Sequence, residues 1–242
     1  MTRTIAHTRL LSQRIVGSDL ATPGEVVNWM GALQAQDYQQ ALWAVGLRTR
    51  QASRLDVEAA ISSREIVRTW PQRGTLHFVP AEDARWMLEL SAGRMVAKDV
   101  RRAQQLELDE EILGRCRRLV ESALGAGGGF SRSGMMQLFE SADISTSGQR
   151  GYHILWRLAQ EQVICLGPME GKQQTFVLLD EWVRRLADLS RTRGLGRTGD
   201  ALLQEPRTSH RSRLAHRWAG LADGWRQNGD GGGRCGPDQD AR

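Results

Sequence analysis

Lysine is nearly absent from this chain: two lysines stand against 31 arginines. That imbalance fits a GC-rich coding sequence better than a surface built for nucleic acid. The net charge of +5 is also unevenly placed, because residues 1–190 hold 23 basic and 22 acidic side chains while residues 191–242 hold 10 and 6. The basic excess therefore belongs mostly to the tail and says little about partners. Cysteine is scarce as well. Cys116, Cys165 and Cys235 are odd in number and lack paired spacing, which supports neither a disulfide framework nor a zinc site and leaves buried thiols as the expectation. No run of eighteen apolar residues exists, and residues 1–11 carry Arg3, His7 and Arg9 where a signal peptide would carry an apolar core. A soluble, cytoplasmic protein without membrane contact is expected. The glycine-rich stretch 125–129 lacks the Lys-Ser/Thr continuation of a phosphate-binding loop, so neither a nucleotide cofactor nor a metal is expected.

What is present is enough for one or two domains: 242 residues, 40% of them apolar. Helical spacing runs through Leu10, Leu11 and Ile15, and again through Val26, Val27, Met30 and Leu33 behind Thr22 as cap and Pro23. Further helices are expected over 38–47 and 55–61. Residues 66–70 and 75–79 read as two extended runs around the break at Pro71 and Gly74, and 81–90 as helix. The same grammar returns after residue 108. A helix over 110–124 ends in glycines, Ser131 caps a short helix, a third helix covers 152–160, and strands at 163–166 and 175–179 flank a tip at 168–172.

Three helices followed by a hairpin describe a winged helix, with the third helix as recognition element and the hairpin as wing. The same order also suits a small α+β domain that never meets DNA. The expected fold is thus α+β, mainly helical, in tandem winged-helix units: residues 1–107, residues 108–190, then a Gly/Arg-rich tail at 191–242. The tail holds 10 of the 26 glycines and no Ile, Val, Phe, Tyr or Met, so it cannot build a core.

Six ordered blocks carry a family likeness: Gly31-Ala-Leu-Gln-Ala-Gln-Asp37, Ala41-Leu-Trp-Ala-Val-Gly-Leu-Arg48, Arg68-Thr-Trp-Pro-Gln-Arg-Gly-Thr-Leu-His-Phe78, Ala81-Glu-Asp-Ala-Arg-Trp-Met87, Gly148-Gln-Arg-Gly151 and Gly171-Lys-Gln-Gln-Thr-Phe-Val-Leu-Leu-Asp-Glu-Trp182. Together they make residues 4–190 resemble the bacterial winged-helix DNA glycosylase family of AlkZ and YcaQ type. The resemblance implies tandem winged helices followed by a β-rich C-terminal domain, and this chain looks like the N-terminal half. Codons for residues 202–210, read one base out of frame, can encode Tyr-Phe-Lys-Ser-His-Gly-Pro-Ala, a stretch similar to the family's. A frame change near 190–193 is therefore one reading of the tail; a genuine flexible basic arm is the other.

The resemblance also implies a catalytic signature of Gln, an apolar residue, then Gln or Asp, which falls here on Gln34-Ala35-Gln36. A purine alkylated at N7 is cationic and already a good leaving group, so its glycosidic hydrolysis needs a positioned water and electrostatic support more than a strong base. A glutamine carboxamide offers one acceptor and two donors and cannot take a proton at neutral pH. Gln34 and Gln36 are accordingly expected to position water and sugar. Asp37 either assists electrostatically or caps the helix that begins at Tyr38.

Candidate DNA contacts are Arg68 and Arg73 around the first hairpin, Gln149, Arg150, His153 and Arg157 on the proposed recognition helix, and Lys172 at the second tip. The alternatives are surface charge for the arginines of the first hairpin and a solvated helix face for the second set. His77, on an alternating strand, is read as a packed or hydrogen-bonded histidine. Trp29, Met30, Trp86, Met87 and Trp156 are read as core. The expected partner is double-stranded, damaged DNA. Two rivals to an enzyme remain: a non-catalytic winged-helix DNA binder or regulator, and an inactive truncated product, which would expose apolar surface.

Overall fold

Six of the nine described α-helices begin on a short polar side chain that accepts from the first turn. The computed structural model describes residues 4–125 and 127–183. Thr4 caps α1 (Ile5–Ser12), and Thr22 with Glu25 closes a capping box on α2 (Pro23–Met30), where Pro23 sits in the first turn and needs no N–H partner. A two-residue strand β1 (Leu33–Gln34) precedes α3 (Tyr38–Gly46), and α4 (Arg54–Ser62) begins with a second capping box from Ser53 and Asp56. The hairpin β2 (Ile66–Gln72) and β3 (Thr75–Pro80) follows, then a single 3-10 turn, Ala81–Asp83, and the 22-residue α5 (Ala84–Gln105). The chain then repeats its own order. Helix α6 (Glu110–Leu124) leads to β4 (Phe130–Ser131), α7 (Arg132–Glu140), α8 (Arg150–Gln160), the hairpin β5 (Ile164–Glu170) and β6 (Gln173–Leu178), and a last turn α9 (Leu179–Trp182).

Both hairpins close on two-residue loops. Arg73 and Gly74 have φ of 48° and 71°, the two positive values of a type I′ turn, whereas in the second loop only Gly171 is positive, at 62°. The hairpins do not stand apart as two wings. They join edge to edge into one six-stranded antiparallel sheet of order β1-β3-β2-β5-β6-β4, sewn at the centre by the pairing of Arg68 with Leu166. One row of paired residues crosses the whole sheet: Leu33, Phe78, Arg68, Leu166, Phe176 and Phe130. Because β2 and β5 run antiparallel, the tips carrying Arg73 and Lys172 lie at opposite ends of the sheet, on the order of 30 Å apart along the strand direction.

Two apolar clusters form on this frame. Val26, Val27, Leu42, Val45, Val57, Ile61, Ile66 and Phe78 make one under the first run of helices. Val120, Leu124, Met135, Phe139, Ile154, Leu158 and Ile164 centre the other, which also takes Trp70 from β2. Strand β2 is covered on both faces, with α4 and α8 packed against it and α5 lying along it, so residues 66–71 are buried throughout. The expected helix at 81–90 continues for fifteen residues beyond its expected end and lies against α8. Of the tryptophans and methionines read as core, Met87 and Trp156 are buried, while Trp29, Met30 and Trp86 are only partly so.

Cys116 and Cys165 are buried free thiols, as expected; Cys235 lies outside the described residues, as does the tail that composition sets apart. Burial pushes the Cys116 thiol up to about 11 and raises Cys165 further in the same direction. No described helix is long and apolar enough to cross a membrane.

Gly151 explains one of the family-like blocks. It is the second residue of α8, and a Cβ there would lie 3.1 Å from Cβ of Thr146 and collide with the Met136 side chain of α7. Gly151→Val is therefore expected to destabilise the protein by about 1–3 kcal/mol through overpacking, read as a lower urea midpoint at unchanged m-value. An unchanged midpoint would show that Met136 simply swings away.

Candidate functional site

Strand β1 is too short to hold its own shape, so the segment after it is fixed from outside. Gln34 pairs with His77 of β3, and the Ala35 N–H donates to Leu76 O at 2.7 Å. The Leu76 N–H donates back to Gln36 Oε1 at 3.1 Å. An N–H can only donate, so the Gln36 carboxamide oxygen faces β3 and its NH2 group is turned away. Gln34 and Gln36 are exposed on either side of the buried Ala35, and the Gln34 carboxamide has no hydrogen-bond partner among the described residues. Asp37 Oδ1 then accepts from the Gln40 N–H at 3.0 Å and caps α3. The capping reading of Asp37 is the one the geometry favours.

Arg68, a candidate DNA contact with surface charge as its alternative, is buried instead. It is 6% exposed, on a central strand whose neighbours Val67 and Thr69 are fully buried. Its Nε and Nη2 donate to Ala35 O at 3.0 and 2.8 Å, Nη2 also reaches Gln36 O at 3.2 Å, and Nη1 donates to Gln174 Oε1 at 2.7 Å. Gln174 is fixed in turn by donating to Gly167 O and Thr175 O. The guanidinium carbon also lies 5.3 Å from the centre of the Tyr38 ring, which meets Phe78 edge-on. Burial lowers Arg68 to about 10 and raises Tyr38 to about 12, so both keep their protons throughout the neutral range. One buried cation thus binds the β1–α3 connection to β2 and β6 together.

The side chains expected to meet DNA from α8 face inward. Arg150 donates to Ser145 O and to the carbonyl of Leu106, Arg157 pairs with Glu110 at 2.7 Å and with Glu161 at 2.6 Å, and His153 lies 3.5 Å from Asp99 of α5. Gln149, exposed, accepts from Arg102 of α5 at 2.6 Å. Arg73 and Lys172 are exposed at their hairpin tips, at opposite ends of the sheet. Gln34, Gln36, Asp37 and Arg68 are the predicted residues that the structure brings together. Among the described residues no group of three or more His, Cys, Asp or Glu side chains is placed to hold a metal ion.

A family profile described as DNA glycosylase AlkZ-like matches residues 27–222. The chain belongs to the AlkZ-like DNA glycosylase family. The match does not stop at residue 193, where the sequence suggested a change of frame. Among solved structures, Streptomyces sahachiroi DNA glycosylase AlkZ is similar, with a TM-score of 0.59 and 24% identity over 71% of this chain. The similar region spans 47% of that protein's chain, so the present AlkZ-like chain corresponds to about half its length. No curated protein matches the sequence.

One member of the site escaped sequence reasoning. Gln174 sits in an unremarkable polar pair, Gln173-Gln174, and only the sheet order brings it to Arg68. The signal for Arg68 was available, since an arginine inside Ile66-Val-Arg-Thr-Trp70 interrupts a run that reads as a doubly covered strand.

His77, opposite Gln34, gives a pH test of the site. Burial lowers its pKa below the ordinary 6.5; the contact of Nδ1 with Thr75 O, 3.0 Å, opposes this and the Arg73 charge adds to it. The folded state therefore binds the proton less readily than the unfolded chain. Stability is full above pH 6.5 and falls as the pH drops through 6.5 toward the folded value. Melting temperatures between pH 8 and 5 are expected to decline more steeply for the natural chain than for His77→Asn, and parallel curves would show that His77 contributes nothing.

Proposed function

We propose that this AlkZ-like chain binds duplex DNA through tandem winged-helix units and hydrolyses the N-glycosidic bond of purines alkylated at N7, including those in interstrand crosslinks. The winged-helix reading rests on the order helix, short strand, helix, helix, hairpin, which occurs twice, with the short strand pairing the outer hairpin strand each time. The boundary between the units is proposed near residue 107, between α5 and α6.

The observation that carries the catalytic reading is the pair of exposed carboxamides on a backbone held by β3 and Arg68. Gln34, with a free carboxamide, is assigned the water: its carbonyl oxygen accepts one water hydrogen and orients the water oxygen toward C1′ of the sugar. The Gln36 NH2 group, directed away from β3, is assigned to the sugar or its phosphate. The bond between C1′ and the base nitrogen breaks and its electron pair goes to the cationic purine, which leaves neutral. Water oxygen then bonds C1′ and the surplus proton passes to solvent. Neither glutamine has to accept a proton, which suits a leaving group already charged.

Exposed Lys172 and Arg73 are assigned backbone phosphate contacts. Arg150, His153 and Arg157 are engaged within the molecule and are left out of that assignment.

Gln34→Ala and Gln36→Ala are each expected to slow release of N7-methylguanine from methylated duplex DNA at least tenfold, about 1.4 kcal/mol in the barrier, with melting temperatures close to that of the natural chain. Release at the same rate in both variants would remove the glutamines from the mechanism. DNA binding without release, equal in all three proteins, would establish a non-catalytic binder.

A further inference from the structure

The two repeats can be compared position by position along the central row of the sheet. Leu33, Phe78 and Arg68 in the first correspond to Phe130, Phe176 and Leu166 in the second. They differ in two places. In the second repeat the cap of the following helix is Ser131, the last residue of its short strand. In the first, the cap is Asp37, three residues beyond the end of β1, and the additional residues include Ala35 and Gln36. The other difference is the buried arginine itself, where the second repeat has leucine.

We infer that Arg68 is the positioning residue of the glutamine pair: its guanidinium holds the carbonyls of Ala35 and Gln36, so that the side chains of Gln34 and Gln36 emerge in fixed directions. The sheet does not require it, since Leu166 closes the same row without a charge. No carboxylate forms an ion pair with Arg68 among the described residues, the Asp37 charge supports it only from further off, and burying a cation mainly on carbonyls is costly. The expense falls in the one repeat that carries the excursion, and all three carbonyl contacts are made to that excursion. Gln174, anchored to Gly167 and Thr175, fixes the far side of the guanidinium, so the second repeat serves as the abutment for the first. The catalytic consequence rests on the glycosylase reading above; the positioning itself does not.

Amide hydrogen exchange of the full chain separates the two. In Arg68→Leu, which copies the second repeat, the Ala35 and Leu76 amides are expected to exchange at least tenfold faster, while Leu113 and Ile154 in α6 and α8 keep their protection. Base release falls at least tenfold with the dissociation constant for DNA changed less than twofold, and Arg68→Lys restores part of the loss. Unchanged exchange at Ala35 and Leu76 would overturn the inference. If Arg68→Leu loosens every amide, Gln174→Ala decides: exchange at Ala35 at least threefold faster supports positioning, and no change overturns it. A natural chain that releases no base would defeat the glycosylase reading and leave the exchange result to judge Arg68.

Discussion

The pairing of Arg68 with Leu166 is the seam on which this structure depends. Without it the molecule is two hairpins, each with an open edge; with it, β2 and β5 become the interior strands of one sheet. An interior strand covered on both faces must be apolar at successive positions, which is why Ile66, Val67 and Trp70 in one strand and Ile164, Cys165 and Leu166 in the other are all buried. Other ties run beside the seam. Gln160 of α8 donates to Trp70 O at 3.0 Å, Arg64 donates to Glu181 O at 2.8 Å and stacks on Trp182, and Arg85 pairs with Asp180. The two repeats are therefore held together by more than the helix that links them.

That helix also makes the repeats unequal. Helix α5 lies against α8, and Asp99 and Arg102 engage His153 and Gln149 near the start of α8. The helix that a DNA-reading module would present is thus covered in the second repeat, and Arg157 on it pairs with Glu110 and Glu161. In the first repeat the region between β1 and α3 is open, with Gln34, Gln36, Asp37, Gln40 and Trp43 exposed in sequence. One copy serves as framework, while the other leaves this stretch open.

Much of this was legible before the structure. The helix over 110–124, the caps at Thr22 and Ser131, and both hairpins follow from periodicity and local hydrogen bonding, which act over a few residues. Two-residue strands such as β1 and β4 show no period and were invisible. The second half of α5 was missed because its charged sequence carries only a faint apolar stripe. For the site, the glutamine pair and its resemblance were readable, but Arg68 and Gln174 meet across 106 positions of sequence, through a strand order that no local pattern encodes. An arginine looks the same in a sequence whether it faces water or carbonyls. On α8, charge was visible, while Asp99 and Glu110, which meet His153 and Arg157, come from other helices.

The tip of the first hairpin is tucked in rather than free: a Cβ at Gly74 would stand 3.3 Å from Met95 Cε on α5 and 3.8 Å from the Trp156 indole nitrogen on α8. A loose finger must surrender conformational freedom when it closes on a partner, and that loss weakens every contact it makes. Here the loss is incurred once, during folding. A partner docking on this tip would then meet a template that is already fixed.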